Sequence, residues 1–174
     1  MTVTPVRIDM GAPDLLARMA SLGSGNVLKC YQCGTCVGDC PAILSDLHVR
    51  RLMKYSIYGL EDRILGDQGV WGCTTCHACS ERCPEGASPF ELVMAVRRYQ
   101  SQLGKLPEAL RAISGNVLEM GHAVDLQEKH KKARVSVGLP EVPPTILQHP
   151  EMLEEVRSIV AARELMGLLE KGGD

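Results

Sequence analysis

The chain has 174 residues, a mass of 18.9 kDa, a formal charge of −2 and only 3% aromatic residues. That length suits one domain of ordinary size plus an extension, and no apolar run of about 18 residues suggests a membrane span. The charge balance, without a basic stripe or an aromatic set for base stacking, argues against nucleic acid as a partner.

Residues 1–13, MTVTPVRIDMGAP, hold no basic end followed by a hydrophobic run, so no secretory leader is expected and the cytoplasm is the expected compartment. PDLLARMASL at 13–22 predicts a short helix with Leu15, Leu16, Met19 and Leu22 on one face. Pro13 suits its first turn, and Gly23 and Gly25 end it. Then come Cys30, Cys33, Cys36 and Cys40, followed by Pro41. Asp46 is the predicted cap of a helix over LHVRRLMKYSIYG, in which Val49, Leu52 and Met53 recur at helical spacing and Gly59 supplies the stop. A shorter helix is expected over Glu61–Leu65. A second cysteine run, Cys73, Cys76, Cys79 and Cys83, is followed by Pro84.

Ser88 then predicts a capping box, with Pro89 at the first helical position and Glu91 reaching back to the Ser88 amide. The helix it opens carries Leu92, Val96, Tyr99 and Leu103 on one stripe flanked by Val93, puts Glu91, Arg98 and Gln102 on the wetter side, and ends at Gly104. Phe90 and Met94 lie off the stripe and point to a second neighbour. Beyond residue 104 the cysteines stop. Residues 1–104 read as the metal-binding domain and 105–174 as a helical extension. Pro107–Met120 and His122–Lys132 predict one or two amphipathic helices, with Gly115 and Gly121 weakening the join. GLPEVPPTILQHP at 138–150 reads as an extended proline-rich arm, against its own domain or around a partner. Glu151–Leu169 returns to helix, with Met152, Val156, Ile159 and Val160 near helical period.

The two cysteine runs are identical in spacing, CxxCxxCxxxCP, and use all eight cysteines of the chain. This is the spacing of a protein holding two [4Fe-4S] clusters, in which the fourth cysteine of each run ligates the other cluster. On that rule Cys30, Cys33 and Cys36 join Cys83, while Cys73, Cys76 and Cys79 join Cys40. One tight loop wraps three corners of a cubane, and the fourth corner takes a thiolate from elsewhere. Structural zinc sites present cysteines as separated pairs, because one tetrahedral ion needs four ligands. A disulfide framework suits small secreted chains. Four thiolates around each oxidised core bring the loaded chain to a charge of about −6. With so few aromatic residues, metal ligation becomes part of folding.

Around the thiols, Tyr31, Gly34, Thr35, Trp71, Gly72, Thr74 and Thr75 are candidates to hydrogen-bond the sulfurs or exclude water, set against plain packing. His77 lies inside the second run, but four cysteines already complete the set, so it reads as a neighbour rather than a ligand. His48, His122, His130 and His149 form no metal-spaced pair, and Lys131 and Lys132 read as a solvated face.

CYQCGTCVGDCP at 30–41, WGCTTCHACSERCP at 71–84 and GLPEVPPT at 138–145 resemble the C-subunit family of the heterodisulfide reductases of methanogenic archaea. The cysteine motifs alone are shared with the iron-sulfur subunits of succinate dehydrogenase, fumarate reductase and glycolate oxidase. The GTC and TTC tripeptides, the short unfused length and the arm narrow the match. The resemblance implies an all-α, α-helical ferredoxin that passes electrons from a flavin-bearing A-subunit to a B-subunit, which reduces the mixed disulfide of coenzyme M and coenzyme B. Hydrogenase or formate dehydrogenase supplies electrons in such complexes, and flavin bifurcation couples the reaction to ferredoxin reduction.

The residues fit that division of labour. Disulfide reduction needs a free thiol, an open metal position or a flavin, and with every cysteine a ligand and no GxGxxG loop the chain reads as a conductor, with no catalytic residue of its own. Two other readings stand beside it: the iron-sulfur module of a glycolate or glycerol phosphate dehydrogenase, and a zinc-stabilised interaction protein.

Overall fold

The computed structural model describes residues 11–163 together with Gly167. The expectations for residues 1–10 and for the end of the helix at 164–169 fall, Gly167 apart, outside the described residues. Every regular element among the described residues is an α or 3-10 helix, which makes the fold all-α. No helix among them is long and apolar enough to cross a membrane. Contacts divide the chain into two compact units, Met1–Gln102 and Leu103–Asp174.

In the first unit the core is a seam between two helices of matching periodicity. Helix α3, Val49–Ile57, buries Val49, Leu52, Met53 and Ser56. Helix α6, Pro89–Gln102, buries Leu92, Val93, Ala95, Val96 and Tyr99 and packs against α3. The numbering follows from α1, Leu15–Ser21, α2, Thr35–Gly38, α4, Glu61–Leu65, and α5, Ala78–Glu81. Helix α1 adds Leu15 and Met19, with Leu16 and Leu22 at the margin, and α4 adds Ile64. Each fully buried aliphatic side chain here is worth about 1.5–3 kcal/mol, so the seam is the rigid frame on which both cysteine runs hang. Ser56 is satisfied there, its hydroxyl donating to the Leu52 carbonyl one turn back at 3.1 Å. Tyr99 reaches from α6 to the rim, where its hydroxyl accepts from Arg18 at 2.7 Å and donates to Glu61.

Three local expectations for this unit are corrected. Asp46 does not cap α3: it adopts a left-handed conformation (φ 63) that closes the 3-10 turn Pro41–Ser45, and His48 stands at the helix start. An Asp tolerates that conformation better than most side chains. Leu103 falls just past the end of α6 and is 44% exposed, so it leaves the stripe. The Ser88 capping box does not form, because Ser88 is itself left-handed (φ 52) and its hydroxyl faces the Gly86 carbonyl.

Ser80 of α5 does the capping from a distance. Its hydroxyl accepts from the Phe90 amide at 3.0 Å and donates to the Glu91 carboxylate at 2.7 Å. Ser80→Ala is therefore expected to cost about 1 kcal/mol, while Ser88→Ala stays within about 0.5 kcal/mol. Thermal unfolding of the two variants side by side checks the difference, and equal effects would return the cap to Ser88.

The second unit holds α7, Glu108–Met120, α8, Glu128–Ser136, and α9, Pro150–Ala162. Gly115 stays inside α7, and the left-handed Gly121 (φ 74) ends it. Helix α8 starts at Glu128 rather than His122. The preceding loop is held by the His130 ring against the Asp125 carbonyl at 2.8 Å and by the Gln127 amide donating to the Asp125 carboxylate at 2.7 Å. The arm at 138–150 ends in a 3-10 turn, Ile146–Gln148, seated on its own unit. Its Thr145 hydroxyl lies 2.6 Å from His122 Nε2, and a Cβ at Gly121 would run into Ile146 Cγ2. The apolar stripe of α9 is displaced from the expected one. Leu153 is buried while Met152 and Ile159 are exposed, and Arg157 donates to the Leu118 and Glu119 carbonyls at the end of α7.

Candidate cluster-binding site

Both cysteine runs fold by one local plan. A 3-10 turn, Val27–Lys29 or Gln68–Gly72, leads into the first cysteine, and a single helical turn, α2 or α5, carries the third. Between them lie left-handed residues at matched positions: Gln32 (φ 67) and Gly34 (φ 91) in the first run, Thr75 (φ 58) and His77 (φ 62) in the second. Left-handed residues spaced this way turn peptide N–H groups toward one side, the backbone concavity that receives anions such as thiolate-ligated iron-sulfur clusters. Three of these four residues are not glycine, and each such conformation costs of order 1 kcal/mol. Both loops nevertheless keep the shape.

The two runs then meet. Helices α2 and α5 pack together, and the residue before each fourth cysteine, Asp39 in one run and Arg82 in the other, forms an ion pair with its counterpart. Cys40 of the first run lines one cavity with Cys73, Cys76 and Cys79 of the second, closed by Leu47, Val49, Phe90 and Val93. Burial pushes the Cys36 thiol up to about 11, helped by the neighbouring charges of Cys30, Cys33 and Cys83. The Cys79 thiol is pushed up to about 12 by burial, then by Cys73 and Cys36. The middle cysteines behave oppositely. The exposed Cys33 thiol is lowered by the Thr35 hydroxyl, 3.4 Å from its sulfur, and then by the Thr35 amide. Cys76 is lowered by the Ala78 amide and the Thr74 hydroxyl.

Each loop thus offers one thiolate readily and holds another that apolar surroundings disfavour as a bare anion. A cation of iron beside it removes that cost, because ligation requires the thiolate. Further donors reach the sulfurs: the Gln32 side-chain amide to Cys30 at 3.4 Å and the Ala87 amide to Cys83 at 3.3 Å. Cys40 beside Cys73, Cys76 and Cys79 at one cavity, the charges of Cys30, Cys33 and Cys83 around Cys36, amides aimed at sulfur and an apolar wall suit the family's two [4Fe-4S] groups.

Several expected neighbours land where the spacing put them, and others do not. Thr35 and Thr74 face sulfur, whereas the Thr75 hydroxyl turns to the Thr74 carbonyl at 2.7 Å. His77 stacks its ring on Phe90 at 3.6 Å between centroids. Gly72 allows close approach to the first run, since a Cβ there would meet the Ser45 hydroxyl. His48, His122, His130 and His149 do not gather, and Lys131 pairs with Glu128 at 2.7 Å.

Two residues of α6 that the sequence does not single out hold the approach to the second run. Gln100 is fully buried; its amide donates to the Ile64 and Asp67 carbonyls at 2.9 and 3.0 Å, and its oxygen accepts from the Trp71 indole at 2.6 Å. One turn earlier, Arg97 donates to the Val70, Trp71 and Cys73 carbonyls at 2.8, 2.9 and 2.9 Å and lies over the Trp71 ring. No local pattern marks either residue.

The family description "4Fe-4S dicluster domain" matches residues 26–87, which span both runs. The chain is 36% identical over 146 residues, 83% of its length and 79% of the relative's, to the C-subunit of the "H(2):CoB-CoM heterodisulfide,ferredoxin reductase" of Methanothermobacter thermautotrophicus. It is 37% identical over 145 residues to the iron-sulfur C-subunit of the "CoB--CoM heterodisulfide reductase" of Methanopyrus kandleri, covering 83% of this chain and 76% of that one. To the C-subunit of the "Ferredoxin:CoB-CoM heterodisulfide reductase" of Methanosarcina mazei it is 38% identical over 136 residues, 78% of this chain and 84% of the relative. With two [4Fe-4S] clusters as its cofactors, the chain belongs to the iron-sulfur C-subunit family of the heterodisulfide reductases.

Proposed function

We propose that the chain carries electrons within a heterodisulfide reductase, from a flavin-bearing A-subunit to a B-subunit that reduces the mixed disulfide of coenzyme M and coenzyme B. A hydrogenase or formate dehydrogenase is the source of the electrons in the larger assembly. Cys30, Cys33, Cys36 and Cys83 hold one cluster, and Cys73, Cys76, Cys79 and Cys40 hold the other. The observation that carries this reading is the cavity on which Cys40 stands with three cysteines of the opposite run. The relatives' names, which include CoB-CoM heterodisulfide, support the pathway.

When bound, each [4Fe-4S] group supplies a reversible one-electron couple whose potential depends on charge, hydrogen bonds and solvent access. The chain's own residues set those conditions. Thr35, Thr74 and the amides of Ala78 and Ala87 stabilise charge on sulfur, while Phe90 and Val93 wall the second site from water. Asp39 and Arg82 tie the two fourth cysteines' segments together. Because ligation uses all eight thiols, none remains to attack a disulfide, and the bond-breaking step belongs to the partner.

Anaerobic analysis of the purified chain is expected to give about eight iron and eight acid-labile sulfide. Isolation of the native complex is expected to bring down a flavoprotein and the disulfide-reducing partner with it. Zinc without sulfide, or a complex lacking disulfide-reducing activity, would sink the assignment.

A further inference from the structure

We propose that Arg97 sets the reduction potential of the cluster ligated by Cys73: its guanidinium fixes the segment leading into that cysteine, and its charge favours the reduced cluster. The inference rests on the ligand reading above, but not on the crossing, since Cys73 belongs to the second run's cluster either way.

Val70, Trp71 and Cys73 all accept from Arg97, at 2.8, 2.9 and 2.9 Å, and only the rigid fork of a guanidinium presents enough donors in one plane to take all three. Carbonyls neutralise no charge. None of the ion pairs among the described residues involves Arg97. Burial lowers its pKa, and the charge that faces it, that of Cys73, acts in the opposite direction. Half-buried between α6 and the Trp71 ring, 5.5 Å from the ring centre, it is less screened than a surface cation. Reduction adds one electron to a cluster whose thiolate ligands already make it negative, so a fixed positive charge one peptide away stabilises the reduced form.

The first run has a different arrangement. The guanidinium beside its left-handed Gly34, that of Arg50, is exposed, with Nη1 3.3 Å from where a Cβ on Gly34 would stand, and Lys29 before Cys30 is exposed as well. Water screens such a charge strongly. The two loops share a backbone plan and differ in the burial of the guanidinium beside them, so Arg97 separates the two potentials.

The test uses the loaded chain. Iron and sulfide are measured first; a wild type short of two clusters would overturn the ligand reading itself. In redox titrations followed by electron paramagnetic resonance, Arg97→Gln is expected to lower one of the two midpoint potentials and leave the other in place. At a fixed potential its reduced-to-oxidised ratio falls about tenfold, about 59 mV for a one-electron couple. Arg97→Lys, which keeps the charge on a less complete donor set, is expected to retain most of the wild-type value, and Arg50→Gln to move neither potential by as much. Unmoved potentials in a fully loaded Arg97→Gln, or an equal fall in Arg97→Lys, would overturn the proposal. So would failure of both Arg97 variants to load, since Arg97 would then be a structural strut.

Discussion

Cys83→Ala combined with Cys30→Ala is expected to leave about four iron and four sulfide per chain, because both substitutions strike the same cluster. Cys83→Ala combined with Cys73→Ala is expected to leave neither cluster intact. If each run instead filled its own cluster, the outcomes would exchange: the Cys83 and Cys73 pair would spare one cluster, and the Cys83 and Cys30 pair would spare none. Cys40 lines the cavity of Cys73, Cys76 and Cys79, and the charge of Cys83 bears on the Cys36 thiol. Iron and sulfide analysis of the two double variants separates the arrangements without assigning any spectroscopic signal to a particular cluster.

Gln100→Leu is expected to be strongly destabilising although the residue ligates nothing. The replacement has similar volume, so it opens little space, but it removes the partner of the half-buried Trp71 indole N–H and Asp67 carbonyl and breaks the buried bond to the Ile64 carbonyl. Each orphaned buried polar group costs about 1–3 kcal/mol, which gives roughly 3 kcal/mol for the variant. In a unit of this size that lowers the midpoint of thermal unfolding by roughly 10–20 °C. The loaded protein, followed by bleaching of the cluster absorbance, provides the measurement, with the exposed Gln102→Leu as control. A change in Gln100→Leu no larger than in the control would show that the clamp on residues 64–71 contributes nothing.

The parts of this molecule legible in its sequence are those that repeat at short range. Leu52 and Met53 in α3 and Leu92 and Val96 in α6 follow from periodicity alone, and the matched spacing of the two cysteine runs foretells their shared loop plan. The capping of α6 is not legible, because Ser88 is the better local candidate and loses to Ser80, a residue that only the folded second loop brings near. The offset in α9 has a related cause. Met152 and Leu153 are both apolar neighbours, and only docking against α7 decides that Leu153 turns inward. Gln32, Thr75 and His77 hide their left-handed conformations because no glycine announces them. Arg97 and Gln100 hide because a polar residue on a helix normally faces water, and nothing nearby in sequence reveals the carbonyls they meet.

The ion pair between Asp39 and Arg82 bears on why both loops lie on one chain. These residues occupy the same place in the two runs and touch each other, so they mark a pseudo-twofold axis. Two identical copies assembled about such an axis would bring the same side chain to both sides, an acid facing an acid or a base facing a base. Covalent linkage of the halves releases them from sameness: opposite charges can meet at the axis, and one half can bury a guanidinium where the other leaves its own exposed. A symmetric pair of clusters has no preferred end. The asymmetry that one continuous chain permits is what lets its two ends differ.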